Sequence, residues 1–195
     1  IVIGGYDVAD LPEYNYGSFS SPLRKFMASY SLNNATLCLP VVESLEVQLK
    51  KLCPKANSQT VYTGYSLGEE SKVVCKQERT KSVLTVSITD NKQRFLIKGL
   101  DRFVDLASNM PDFNFYIVGV QKSAEHLFKT KPQNLTLIPP LSQEELLQYY
   151  NTSSFYAQLS RSEGLPNALC ESMLYGCIPI GMNTGGIPTA INDKG

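Results

Sequence analysis

The sequence has no excess of either charge and no apolar run long enough to cross a membrane. Its 195 residues include 18 Lys and Arg against 18 Asp and Glu, so the formal net charge is zero. A chain without a basic field binds polyanions poorly, which argues against a nucleic-acid coat protein. The longest apolar runs, such as Cys177 to Ile180, are far shorter than the ~20 residues of a membrane-spanning helix. We expect neither a transmembrane segment nor a nucleic-acid partner.

Residue patterns that typically form metal sites, disulfides or dinucleotide-binding loops are scarce. The five cysteines are odd in number and form no Cys-x-x-Cys pair, which argues against a zinc cage or a disulfide framework and favours a reducing cytoplasm. The single histidine, His126, lies in a polar segment, where a surface role is expected. Neither Gly4-Gly5 nor Gly119-Val120-Gln121 continues into Gly-x-Gly-x-x-Gly, so a nicotinamide or flavin role lacks its usual support.

Short apolar runs alternate with amphipathic segments along the chain. The runs bounded by turn residues predict strands at 1–3, 36–39, 60–62, 83–88, 114–118, 135–138, 154–159 and 178–180. The amphipathic segments predict helices at 23–32, 44–52, 99–108, 143–150 and 166–175. This alternation is typical of an α/β protein, in which helices cover a parallel sheet.

The charged stretch 66–81 lacks periodicity and predicts a connection between two structural units. The part before it has too few predicted strands for a self-sufficient doubly wound domain, whereas the part after it has five. We expect the end of one α/β domain in residues 1–80 and most of a second in residues 81–195. The chain is then a fragment of a longer protein.

The segment from Ser160 to Glu171 contains the clearest candidate for a ligand site. A predicted strand ends just before it, and a helix is predicted to open at Pro166, so the loop lies where parallel sheets bind ligands. The backbone N–H groups of Gly164, Leu165 and Asn167, with the helix dipole, predict an anion site there.

Two carboxylates flank this predicted anion site. Glu163 lies in the loop and Glu171 about one and a half turns into the helix, so both can approach one ligand from different positions along the helix axis. A carboxylate accepts paired hydrogen bonds from a diol such as ribose. The alternative is that Glu163 only complements the helix dipole and that Glu171 is a solvated helix residue.

A second loop, after the strand predicted at 83–88, carries Arg94 and Lys98. In a parallel sheet this loop lies at the same end as Glu163, so both cations can neutralise a diphosphate held there. The alternative is a solvated polar loop.

A third loop follows the strand predicted at 178–180 and contains Thr184, Gly185 and Gly186. The glycines permit backbone conformations closed to other residues, and Thr184 can cap the next helix or contact a ligand. An ordinary tight turn is the alternative.

Glu163-Gly164-Leu165-Pro166, followed by Glu171 and by Thr184-Gly185-Gly186-Ile187-Pro188, resembles a pattern of the family 4 retaining glycosyltransferases of the GT-B fold. Lys98-Gly99-Leu100-Asp101 and Tyr116-Ile117-Val118-Gly119 resemble the start of a helix and the next strand of the same family. The resemblance implies two Rossmann-like domains. This chain would hold the end of the N-terminal acceptor domain and most of the C-terminal nucleotide-sugar domain.

The resemblance also implies roles for individual residues. Glu163 would lie by the donor sugar and stabilise positive charge at the anomeric carbon, and Glu171 would hold the ribose hydroxyls. Lys98 would neutralise the departing diphosphate. The backbone amides of Gly164 and Leu165 would bind the same diphosphate, and the backbone around Ile138, Pro140 and Leu141 would contact the base. Asn167, Thr184 and Gly185 complete the expected donor-binding residues.

The sequence departs from the family pattern in three respects. The glycine-rich donor loop and the acceptor-side histidine of the family belong to an N-terminal half that is absent from this chain, so we expect this fragment alone to be inactive. Ser87-Ile88 stands where the family usually has Gly-Arg, and we expect Arg94 to supply the missing charge. Thr189 replaces the Glu that is common after the Gly-Gly-Ile-Pro turn.

The implied reaction moves a hexose from a nucleotide-sugar to an acceptor hydroxyl, with retention of configuration, in polysaccharide or glycoconjugate assembly. Because the protein supplies cations and a helix dipole, no metal and no further cofactor are required. The acceptor would be a sugar, a lipid-linked sugar or another hydroxyl compound. The expected location is the cytoplasm, with peripheral membrane association through the missing N-terminal half. A sugar-nucleotide epimerase and a non-catalytic nucleotide-sugar binding module are the alternatives.

Overall fold

The computed structural model describes residues 1–63 and 78–191 of the chain. Contacts divide these residues into two compact units. The first unit holds residues 1–63, 161–166 and 183–191, and the second unit holds 78–160 and 167–182. The connection predicted at 66–81 lies outside the described residues except for 78–81, so the domain boundary near residue 80 stays a prediction.

The described elements alternate between strands and helices. In chain order they are β1 (Val2–Ile3), α1 (Pro22–Asn34), β2 (Leu39–Pro40), α2 (Glu43–Leu52), β3 (Thr80–Thr89), α3 (Lys92–Ile97), α4 (Leu100–Asn109), β4 (Asn114–Val120), β5 (Leu135–Ile138), α5 (Gln143–Thr152), β6 (Ser153–Gln158), α6 (Asn167–Leu174), β7 (Ile178–Gly181) and α7 (Ile187–Ile191). Short 3-10 helices lie at Tyr6–Val8, Pro12–Tyr14 and Lys122–Phe128. None of the described helices has the length and apolar character needed to span a bilayer.

The second unit is built on a parallel sheet with the strand order β5-β4-β3-β6-β7. The predicted architecture, a parallel sheet with helices on both faces, is confirmed. From β3 the chain proceeds outward to β4 and β5, and it then returns to the other side of β3 as β6. The carboxyl ends of β3 and β6 therefore flank the point where the strand order reverses, which is where such sheets bind ligands.

The first unit differs from the sequence prediction in its strands. The strand predicted at 36–39 forms only at Leu39–Pro40, where it pairs with β1. Pro40 has no N–H group to extend a ladder, which limits this strand. The prediction of a strand at 60–62 is wrong, because Val61 donates one hydrogen bond to the Pro40 carbonyl (2.9 Å) but forms no strand.

The loop predicted between β3 and the next helix contains a helix of its own, α3. The side chain of Asn91 accepts a hydrogen bond from the Arg94 N–H (2.9 Å), and Asn is among the strongest helix-initiating residues. Arg94 therefore lies on a helix rather than in a loop, which corrects the prediction. Lys98 caps the end of α3, and Gly99, with a φ of 67°, leads directly into α4.

The core of the second unit includes the predicted apolar stripe of α4. Leu100, Phe103 and Ala107 are buried, and the Phe103 ring packs edge-to-face on Phe115 with 5.3 Å between ring centroids. Gly99 has no room for a side chain, because a Cβ atom would overlap the carbonyl oxygen of Leu159. The start of α4 is thus fixed directly against the end of β6.

We expect Ser142→Ala to lower the free energy of unfolding by about 1 kcal/mol, because Ser142 closes a capping box at the start of α5. The Ser142 N–H and Oγ donate to Glu145 Oε2 (2.9 and 2.8 Å), and the Glu145 N–H donates to Ser142 Oγ (3.3 Å). Urea denaturation measures the change. Ser108→Ala is the control, because this exposed hydroxyl lies outside the helix caps and donates back to the Val104 carbonyl of its own helix. Equal stability of the two variants would contradict the capping role.

Candidate functional site

Glu163 lines a cavity of about 110 Å³ that lies wholly within the first unit. Two other residues singled out from the sequence, Thr184 and Gly185, line the same cavity from a different loop. The remaining lining residues are Gly5, Ala9, Asp10, Leu11, Leu45, Gln48, Arg161 and Ser162. The structure thus brings together three of the predicted site residues from loops about twenty residues apart.

The backbone around Glu163 packs closely against two glycine-containing loops. A Cβ atom on Gly164 would overlap the Gly4 carbonyl oxygen, and one on Gly185 would overlap the Glu163 carbonyl oxygen. The Gly186 N–H donates to the Gly164 carbonyl (2.9 Å), and the Leu165 side chain packs on the core of the first unit. These contacts fix the position of the Glu163 backbone.

One electrostatic neighbour of Glu163 is a tyrosine, Tyr16, that was not singled out from the sequence. Burial, and next the negative charge of Glu163, raise the pKa of Tyr16. The side chain of Tyr16 also hydrogen-bonds with Ser162, the residue next to Glu163. Arg161 places its guanidinium 5.4 Å from the ring centroid of Tyr14. Both tyrosines lie far from Glu163 in sequence and follow no periodic pattern, so spacing could not reveal them.

Glu171 lies in the second unit and is anchored at one oxygen. The buried Tyr150 hydroxyl donates to Glu171 Oε2 (3.2 Å), whereas Oε1 accepts no hydrogen bond from any residue that the structure describes. Glu171 is half-buried, so it is not simply a solvated helix residue. Asn167 is exposed at the first position of α6, one residue after the predicted helix start.

The two predicted cations also lie in the second unit. Arg94 is exposed and forms an ion pair with Asp90 (3.4 Å between Nη1 and Oδ2). Lys98 is half-buried at the junction of α3 and α4. The side chain of Ile88, at the position where an Arg was expected by resemblance, is 48% exposed and brings no charge.

The residues predicted to contact the nucleotide base lie at the end of β5 and just after it. Ile138 is buried at the end of that strand, Pro140 is exposed and Leu141 is half-buried, just before the Ser142 cap.

The predicted site residues fall into two groups. The second-unit group consists of Glu171, Asn167, the two cations Arg94 and Lys98, and the three residues predicted to contact the base. Gly164, Leu165 and the cavity residues form the first-unit group, and convergence of the two groups on one ligand stays a prediction.

The parallel sheet of the second unit and the likeness of the chain to solved structures define the class of protein. The fold is that of the GT-B glycosyltransferases. The profile of the family described as Glycosyl transferases group 1 matches residues 77–195, and the chain belongs to this family. No protein of curated function matches the chain in sequence.

Three solved structures illustrate the likeness in fold. A point mutant of TarM from S. aureus, in complex with fondaparinux, alpha-GlcNAc-glycerol and UDP, superposes with a TM-score of 0.71 at 13% identity over 95% of this chain and 37% of its own. Sucrose-phosphate synthase from Thermosynechococcus elongatus gives 0.68 at 15% identity, over 87% of this chain and 46% of its own. The pneumococcal O-GlcNAc transferase GtfA, in complex with UDP and GlcNAc, gives 0.66 at 16% identity, over 95% and 38%. This chain therefore spans less than half the length of these proteins.

Proposed function

We propose that this chain is part of a retaining glycosyltransferase that moves a hexose from a nucleotide-sugar donor to an acceptor hydroxyl. The observation that carries the proposal is the position of Glu163, which lines a cavity on a loop held by close backbone contacts. A fixed carboxylate stabilises the positive charge that develops at the anomeric carbon in glycosyl transfer. Tyr16, whose side chain hydrogen-bonds with Ser162, is an electrostatic neighbour of this carboxylate.

The donor nucleotide would be held by the second-unit group. Glu171 offers Oε1 to the ribose hydroxyls, while Lys98 and Arg94 bring positive charge to the diphosphate. The backbone from Ile138 to Leu141 would contact the base. Since these cations and the start of α6 supply the positive charge, the proposal requires no metal. UDP is the first nucleotide to test, because TarM and GtfA were solved with it.

We expect Lys98→Ala to weaken nucleotide binding by about tenfold or more, because a charge-assisted contact to the diphosphate is lost. Calorimetric titration of the full-length protein with UDP, GDP, ADP and their sugar conjugates measures this. Arg94→Ala is expected to have a smaller effect, since Asp90 already offsets part of the Arg94 charge. Lys92→Ala on the same short helix is the matched control. Equal affinities for wild type and Lys98→Ala would remove Lys98 from the donor site.

The reaction itself is tested by incubating the full-length protein with the nucleotide-sugar that binds and a panel of sugar and lipid-linked acceptors. The proposal predicts a product whose anomeric configuration, measured by NMR coupling constants, is that of the donor. An inverted product would contradict retention. Free epimerised sugar without acceptor would indicate an epimerase, and donor binding without turnover would indicate a binding module.

A further inference from the structure

We propose that Tyr150 is a positioning residue for Glu171, whose carboxylate it holds by one oxygen so that the other is left for a ligand hydroxyl. The inference rests on the proposed function, in which Glu171 binds the ribose of the donor. It is carried by the hydrogen bond from the Tyr150 hydroxyl to Glu171 Oε2 (3.2 Å) and by the burial of the tyrosine.

Tyr150 is held both through its ring and through its backbone. The ring stacks on Tyr175 (6.0 Å between centroids, 17° between planes) and contacts Tyr156 (6.3 Å). Its carbonyl oxygen accepts hydrogen bonds from Arg79 Nη1 (3.3 Å) and from Cys177 Sγ (3.2 Å). A ring packed in this way at the end of α5 presents its hydroxyl in one fixed direction.

The Tyr150 hydroxyl is suited to act as a permanent donor. Burial is the largest cause that raises the pKa of Tyr150, and the charge of Glu171 raises it further. The phenol therefore stays protonated over the whole range in which the protein would work. A protonated phenol has one proton to donate, and Glu171 is its partner in the structure.

A glutamate without such an anchor would lose more entropy on binding its ligand. Its side chain has several rotatable bonds, and ordering them opposes association. With Oε2 anchored, the Glu171 carboxylate is already oriented, and Oε1 is available to a second donor. A ribose carries two adjacent hydroxyls, and such a diol can use Oε1 and the remaining lone pair of Oε2.

The neighbouring residue supplies a matched control. Tyr149 lies on the same helix, is half-buried and packs edge-on against Tyr116 with 5.7 Å between ring centroids. Its hydroxyl forms no hydrogen bond with any residue in the described part of the chain. Tyr149→Phe and Tyr150→Phe therefore remove the same atom from adjacent residues, and only the second removal affects Glu171.

The experiment compares a ribonucleotide with an analogue that lacks the ribose hydroxyls. Calorimetry on the full-length protein gives the dissociation constants of whichever of UDP, GDP and ADP binds best, and of its 2′,3′-dideoxy analogue. We expect Tyr150→Phe to weaken ribonucleotide binding by about threefold to tenfold, the effect of one hydrogen bond, and to leave the dideoxy analogue unchanged. Tyr149→Phe should match wild type. In a Glu171→Ala background, Tyr150→Phe should produce no further loss.

A second substitution keeps the test decisive if Tyr150→Phe does not fold. Glu171→Asp keeps the charge but shortens the side chain by one methylene, which withdraws the carboxylate from the Tyr150 hydroxyl. We expect it to reduce the preference for the ribonucleotide over the dideoxy analogue at least as much as Tyr150→Phe would. Circular dichroism verifies that each variant is folded.

Three results would overturn the positioning role while leaving the donor site in place. These are an equal loss of affinity for both nucleotides in Tyr150→Phe, no loss for either, or a loss that adds fully to that of Glu171→Ala. In each of them Glu171→Ala still weakens binding of the ribonucleotide. If wild-type protein binds none of the nucleotides, the proposed function fails, and the inference fails with it.

Discussion

Glu163→Gln is expected to lower the rate of glycosyl transfer by about 100-fold or more, the scale of effect seen when one fixed group that stabilises transition-state charge is removed. The substitution keeps the shape of the side chain and removes only its negative charge. Because Glu163 is half-buried and its backbone is held by Gly164, Gly185 and Leu165, the variant should fold as wild type does. Donor affinity should change little, since the nucleotide is assigned to the second unit.

Initial rates of transfer, together with the dissociation constant of the nucleotide-sugar, separate the two effects. Glu13→Gln is the matched control, because it is the same chemical change at an exposed residue of the first unit. A rate for Glu163→Gln within twofold of the control would remove Glu163 from the catalytic site. A loss of nucleotide affinity as large as the loss of rate would assign Glu163 to binding instead.

The sheet of the second unit was predictable because its signals are local. The strand predicted at 135–138 is observed at Leu135–Ile138, and the helix predicted at 99–108 is observed at Leu100–Asn109. A buried parallel strand is a continuous apolar run, and a helix on a sheet is an apolar stripe. Both patterns can be recognised in the sequence without knowing which segments pack against them.

The α3 helix shows where a local signal was missed. At six residues, Lys92–Ile97 is too short to display a full amphipathic repeat, so periodicity did not indicate it. Its Asn91 cap was present in the sequence and could have predicted the start. The consequence is functional as well as structural, since the helix places Arg94 beside Asp90.

The surroundings of Glu163 could not be predicted, because they depend on contacts between distant segments. Residues 6–16 form two 3-10 turns without periodicity, and they join the loop 161–166 in one compact unit. The sequence predicted a glycine-rich site loop but not that Gly164 would pack on Gly4, nor that Tyr16 would lie near Glu163. Close backbone packing leaves no pattern beyond the glycines themselves.

Gly185→Ala should therefore lower the rate of glycosyl transfer about as much as loss of the Glu163 carboxylate does, although it removes no chemical group. Gly185 has a φ of 57°, a left-handed conformation that costs other residues about 1–2 kcal/mol. A Cβ atom would also overlap the Glu163 carbonyl oxygen, so the Glu163 backbone has to move. The Ser44 hydroxyl, which donates to the Gly185 carbonyl (2.8 Å), restrains the other side of the loop. We therefore expect the overlap to be relieved mainly by movement of the Glu163 backbone.

A displacement of about 1 Å at a catalytic group can cost about 100-fold in rate, and we expect Gly185→Ala to lose transfer on that scale together with some thermal stability. Gly4→Ala is the control in the same unit, because a Cβ atom there meets nothing within 4 Å. Rates and unfolding temperatures of both variants test the argument. Full activity in Gly185→Ala would mean that the loop adapts and that the position of Glu163 is not fixed by this glycine. Equal losses in both variants would mean that the first unit tolerates no added side chain near the site, and that the specific contact with Glu163 is not the cause.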